Sequence, residues 1–169
     1  MTGCRYFYNF GNKIPTGLTA VEYVKTQSGI CEPNTRLYLT TLKSFLGTVK
    51  LTGWWETFRQ CTNLRELTCD ISETTGWTNP FYPSMACYSL RKLLFVGGES
   101  LTSFPGDINL SKTSLEADAV LAFFNTLPDI STSETARTIT LQSTPAAAEG
   151  IPEATLAVAT NKGWTVVTA

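Results

Sequence analysis

The chain has 169 residues, 43% of them hydrophobic and 16% charged, which describes a globular protein with a single core and excludes a disordered chain or two full domains. Its 13 basic and 14 acidic residues are scattered to a net charge of -1, so no lysine or arginine cluster offers counterion release to a nucleic acid, and no nucleic-acid partner is expected. The longest apolar runs, such as Leu93-Leu94-Phe95-Val96, fall far short of the ~20 residues that cross a bilayer, and no membrane association is expected.

Residues 1–13 are rich in aromatic side chains (Tyr6, Phe7, Tyr8 and Phe10) and break at Gly11-Asn12. Two possibilities stand for them: a first strand of the domain, or an arm that docks on another chain. In the second case Tyr6, Phe7, Tyr8 and Phe10 form a candidate docking segment. The same stretch lacks the basic start, long apolar run and small-residue cleavage site of a secretory signal, and none is expected. A single domain is predicted over residues 14–169. Within its first part Val21–Val24, Arg36–Leu39 and Thr48–Leu51 alternate as strands do, with the turns Gly11-Asn12 and Pro15-Thr16-Gly17 before them.

An internal repeat follows. At a constant offset of 26 residues Trp55 falls on Phe81, Cys61 on Cys87, Leu64 on Leu90, Arg65 on Arg91 and Leu67 on Leu93. That offset lies within the range of about 20–29 residues found in leucine-rich repeats. The physical expectation is one short strand per unit, at Leu64–Cys69 and at Leu90–Val96. Stacked in parallel, the two turn their leucines into a common interior that one unit alone cannot close. Residues 100–105 repeat the step in degraded form, Ile108-Asn109-Leu110 can supply one more strand, and the repeats, from about 54 to 110, are expected to stop there.

From Thr113 the pattern changes. Thr113-Ser114-Leu115-Glu116 has the form of a capping box, and Leu115, Ala119, Phe123 and Leu127 recur on one face of a helix over about 114–127 that ends at Pro128. Thr138–Leu141 alternates as a strand. Pro152 and Gly163 bracket a second helix, and Trp164–Val167 reads as a terminal strand, with Trp164 packing inward. Residues 114–169 are thus a helix-strand-helix-strand cap that closes the end of the repeats.

Little in the composition supports catalysis. Histidine is absent, which removes every mechanism that uses imidazole as base or metal ligand. Gly97-Gly98 has no phosphate-binding motif around it and is expected to be a tight turn. The nearest acidic groupings, Glu116 with Asp118 and Asp70 with Glu73, are expected to be solvated charges. The five cysteines (Cys4, Cys31, Cys61, Cys69 and Cys87) are odd in number and form no CxxC pair, as expected of reduced, buried side chains. No catalytic residue, metal or cofactor is therefore expected. Flat aromatic side chains can stack on sugars or anchor an interface. Trp54, and Trp77 with Tyr82 in the loop-like stretch from Asp70 to Pro83, are the candidate binding surface, whereas Trp55 is expected in the core.

The stretch Thr57-Phe58-Arg59-Gln60-Cys61-Thr62-Asn63-Leu64-Arg65-Glu66-Leu67 resembles the "aF-x-x-C-x-x-L-x-x-I/L" core of BspA-type leucine-rich repeats, a family associated with bacterial surface proteins. Its second copy keeps the cysteine and leucines but has Ser84 at the aromatic position. Ile14–Val24 is similar to an "LP-x-G-Y-T-x-V-E-Y-I" opening common in phage and prophage surface proteins, though the sandwich domain that often follows it is missing here. Ala157–Val166 is similar to the "A-x-A-x-x-K-G-W-T-V/I" ending of such repeat proteins. The resemblance implies an α/β fold: a short irregular leucine-rich-repeat solenoid, mostly β with parallel stacked strands, and a C-terminal cap. It further implies a non-enzymatic phage virion protein, namely a head or tail fibre, decoration or receptor-binding component. Its partners would be other virion proteins and a host surface glycan or protein, with a symmetric homo-oligomer compatible with that role. The alternative location is the bacterial cell surface, as an adhesin of the same repeat family; a carbohydrate-active enzyme, with two carboxylates facing across a cleft, is the third reading.

Overall fold

A computed structural model describes residues 62–72 and 87–169, together with the backbone of four short strands before them. It is an α/β protein of short parallel strands and few helices. In the first part of the chain β2 (Ala20–Val21), β4 (Ser44–Thr48), β5 (Glu66–Asp70) and β6 (Lys92–Val96) form one sheet in that order, and β1 (Phe7–Tyr8) pairs with β3 (Val24–Lys25). Every pair is parallel. Parallel neighbours cannot be joined by a hairpin, so the chain has to travel back between one paired strand and its partner.

The repeated leucines lie side by side. Leu67 pairs with Leu93 and Cys69 with Phe95, at the offset of the sequence repeat. The alternation of β-structure sends these four inward, and Leu64 and Leu90 just before the strands, with Ile71 just after β5, are buried with them. Each fully buried leucine contributes about 1.5–3 kcal/mol relative to an exposed one, which neither unit could realise without the other.

Two early strands differ from expectation. Val21–Val24 is two strands with different neighbours, because β2 joins β4 while β3 joins β1. Alternation within one segment carries no information about such a change of partner. The strand expected at Thr48–Leu51 runs instead over Ser44–Thr48, where its register with β5 sets Phe45 beside Leu67 and Gly47 beside Cys69. Gly47 interrupts the apolar alternation and so hides the strand. The expected strand Arg36–Leu39 lies outside the described residues.

The C-terminal part is β7 (Ile108–Asn109), α1 (Ala117–Thr126), β8 (Arg137–Thr140), α2 (Pro145–Glu149), α3 (Glu153–Thr160) and β9 (Trp164–Val167). The expected helix-strand-helix-strand order therefore gains a helix, α2. Its cap is Thr144, whose hydroxyl accepts from the Ala147 amide, and Pro145 supplies a pre-set φ in the first turn. The capping box expected at Thr113–Glu116 does not form. Glu116 itself occupies the N-cap with no side-chain bond, and the Thr113 hydroxyl donates back to the Leu110 carbonyl at 2.8 Å.

β7, β8 and β9 make a second parallel sheet, so β7 belongs with the last two strands and not with β6. Meanwhile α1 packs on β6, and α3 packs on α1. The edge of β6 is met by α1 and its approach: the Phe95 amide donates to the Thr126 hydroxyl at 3.0 Å, and the Ser114 amide to the Leu90 carbonyl at 2.9 Å. One core joins both sheets and the helices. In it Phe95 stacks on Phe104 at 5.9 Å and meets Phe123 edge-on at 5.2 Å, and Phe104 leans on the buried Trp164 at 5.3 Å.

Candidate functional site

The residues singled out for binding, Trp54, Trp77, Tyr82, Tyr6 and Phe10, lie outside the described residues, and for Phe7 and Tyr8 only the backbone of β1 is described. The described residues form a set of corners where the chain turns between strands and helices. Two kinds of corner occur twice.

The first is a Leu-x-x-Thr turn. In Leu110–Thr113 and again in Leu141–Thr144 the threonine donates both its amide and its hydroxyl to the leucine carbonyl, the hydroxyl at 2.8 Å each time. The residue before each threonine, Lys112 (φ 65°) and Ser143 (φ 63°), takes the left-handed conformation that closes the turn. Because Ile108 pairs with Ile139, the two turns follow neighbouring strands.

The second is Asp-Ile-Ser. In Asp70-Ile71-Ser72 and in Asp129-Ile130-Ser131 the aspartate Oδ1 accepts from the serine amide at 3.0 Å and from its hydroxyl at 2.7 Å, while the isoleucine is buried. A glycine of positive φ lies against each. At Gly97 (φ +72°) an added Cβ would stand 2.8 Å from Asp70 Oδ1, and at Gly163 (φ +84°) 2.7 Å from Ser131 Cα. The tight turn expected at Gly97-Gly98 is one of these close approaches. The same corner thus serves β5, a strand, and α1, a helix.

At the Asp129 corner the chain is clamped. Lys162 Nζ donates to the carbonyls of Phe124 (3.0 Å), Asn125 (2.8 Å) and Leu127 (2.9 Å), which end α1, a helix with no basic residue in its own last turn. Three acceptors require three N–H donors, which only the ammonium form supplies, and a cation suits the negative end of a helix. Burial pulls the Lys162 ammonium down from the ordinary lysine range, with Asp129 opposing. The Asp129 carboxyl is held below the ordinary range, first by the Ser131 hydroxyl and amide and then by Lys162. Trp164 Nε1 donates to the Pro128 carbonyl at 3.0 Å beside them. The sequence singles out Lys162-Gly163-Trp164 only as part of an ending; the signal for the clamp is a helix lacking a cation at its own C-terminus.

These polar side chains are engaged in holding the chain's turns, as is Arg137, whose Nε donates to the Phe104 carbonyl at 2.6 Å. Glu116 and Asp118 are both exposed at the start of α1. Cys69 and Cys87 are buried. Among the described residues no group of three or more histidine, cysteine or acidic side chains is placed to hold a metal ion, and no helix is long and apolar enough to cross a membrane. Outward on the first sheet Glu66 stands beside Lys92, Thr68 beside Leu94 and Asp70 beside Val96, and the large apolar side chains left exposed include Tyr88 and Val96. No protein-family model, curated protein or solved structure matches the chain.

Proposed function

We propose that this chain is a non-enzymatic structural and binding protein of a phage particle, a head or tail fibre, decoration or receptor-binding component. In this reading it is a short irregular leucine-rich-repeat solenoid whose C-terminal cap continues the winding. The observation that carries the reading is the register of Leu67 with Leu93, both buried, at the offset of a motif that resembles BspA-type repeats. Recurrence of the Asp-Ile-Ser and Leu-x-x-Thr corners supports it, since a wound chain must turn the same way once per coil. A rigid scaffold of this kind would present Trp54, Trp77 and Tyr82 to a host glycan or protein, and Tyr6, Phe7, Tyr8 and Phe10 to a neighbouring virion protein. No cofactor is invoked. The same repeat motif also favours an adhesin of the bacterial cell surface.

Mass spectrometry of purified particles distinguishes the two. The chain is expected among the virion proteins at a fixed copy number, and deletion of residues 1–12 should abolish its incorporation while leaving the domain folded. Its absence from particles together with its presence on host cells would contradict the phage reading, and incorporation of the deleted form would remove the docking role of the aromatic segment.

A further inference from the structure

We propose that the outer edge of β9 is a self-association site, at which the same strand of a second copy of this chain pairs antiparallel about a two-fold axis. The inference goes beyond the proposed function and does not depend on it. Two observations carry it. The first is where the elements stop. β6, α1 and α3 pack side by side in that order, as do β7, β8 and β9, so α3 and β9 form one last layer, in contact with each other. On this layer Leu156, Val158 and Val166 touch the core yet are only half-buried, and Val167 is exposed. The second is the edge itself. The Val167 carbonyl accepts from the Leu141 amide at 2.8 Å, and main-chain groups alternate sides along a strand, so the amides and carbonyls of Trp164, Val166 and Thr168 point away from β8. Among the described residues no strand pairs with β9 on that side.

Bare edges in proteins are commonly blunted by a lysine, a proline or a bulge. β9 has none of these: it pairs with β8 over four consecutive residues, and 163–169 contains neither a charged side chain nor a proline. A row of outward amides and carbonyls calls for another strand as its partner, and the lack of charge suits an identical one. Antiparallel self-pairing sets the residues of a strand against those of its own copy, which like charges would oppose and which Thr165, Val166 and Val167 permit. A two-fold contact of this kind closes at the dimer and does not grow into a filament.

Sedimentation equilibrium and amide hydrogen exchange of the full chain test this. A monomer–dimer equilibrium is expected, in which the Val166 amide gains protection as protein concentration rises, while the Leu141 amide, bonded to Val167 within one copy, is protected throughout. Val166→Pro removes an outward amide and leaves the groups that face β8, and it should weaken dimerisation by about tenfold or more, the size of two hydrogen bonds lost by symmetry. Val166→Ile, which keeps the amide, should dimerise as the unaltered chain does. A monomer at every concentration, a dimer that Val166→Pro leaves intact, or protection of Val166 that does not depend on concentration would overturn the proposal. Should the proline variant fail to fold, isotope-filtered Overhauser contacts between labelled and unlabelled copies of the unaltered protein decide. Contacts between residues 164–168 of the two copies are expected, and a dimer without them contradicts the pairing.

Discussion

Gly163 shows most sharply what one residue contributes here. Its φ of +84° disfavours any L side chain, and a Cβ would also stand 2.7–2.8 Å from the Ser131 Cα and the Ile130 carbonyl. Gly150 separates the two effects, since it has φ +87° and nothing within 4 Å of the point where a methyl group would stand. Gly150→Ala should therefore cost only the backbone term, about 1–2 kcal/mol. Gly163→Ala should cost about 2–5 kcal/mol once the overpacking is added, and urea denaturation of both variants checks the difference. In the sequence Gly163 is legible as the stop of a helix, but the closed space around it comes from a segment far upstream. Asp129 is a second case. Its carboxyl is held low in the folded protein, so its contribution to stability is present above the pKa of the unfolded chain and lost as pH falls through the lower, folded value. An NMR titration should find it below the ordinary aspartate range, and Ser131→Ala should move it upward.

Among the elements, those with self-contained signals are the legible ones. Pro128 and the apolar face of α1 mark that helix within a few residues, and Trp164–Val167 is the terminal strand as expected. Thr113 and Thr144 show why caps are less legible. Both make the same turn with the leucine three residues before, but only Thr144 has a helix amide within reach, that of Ala147. Thr144→Ala should cost about 1–2 kcal/mol through the lost cap, and loss of α2 amide protection at Ala147 locates the effect. α2 itself spans five residues, too short for a helical period to emerge, although Thr144-Pro145 carries its start signal. In the first part of the chain β2, β3 and β4 follow their neighbours' register more than their own alternation, which is why two of the early strands fall elsewhere than expected.

At the scale of the whole molecule, the leucine spacing makes the pairing of β5 with β6 readable, because both segments present a strand with the same apolar step. Beyond Val96 the spacing fades. Where β5 and β6 have strands, the next segments are α1 and α3, and a helix places its apolar residues at another period. What persists across the change is the corner chemistry, Asp70-Ile71-Ser72 and Asp129-Ile130-Ser131, a repeat of three residues that leucine spacing alone does not reveal. The aromatic candidates for binding fall outside the described residues, so the site is legible only as a proposal. In-register pairing of the two repeated segments is tested most directly by cross-strand nuclear Overhauser contacts in the isotope-labelled protein. Contacts linking each residue of 66–70 with its counterpart in 92–96, Leu67 with Leu93 and Cys69 with Phe95 among them, are the predicted result. An antiparallel pattern, or no contact between the two segments, would contradict it.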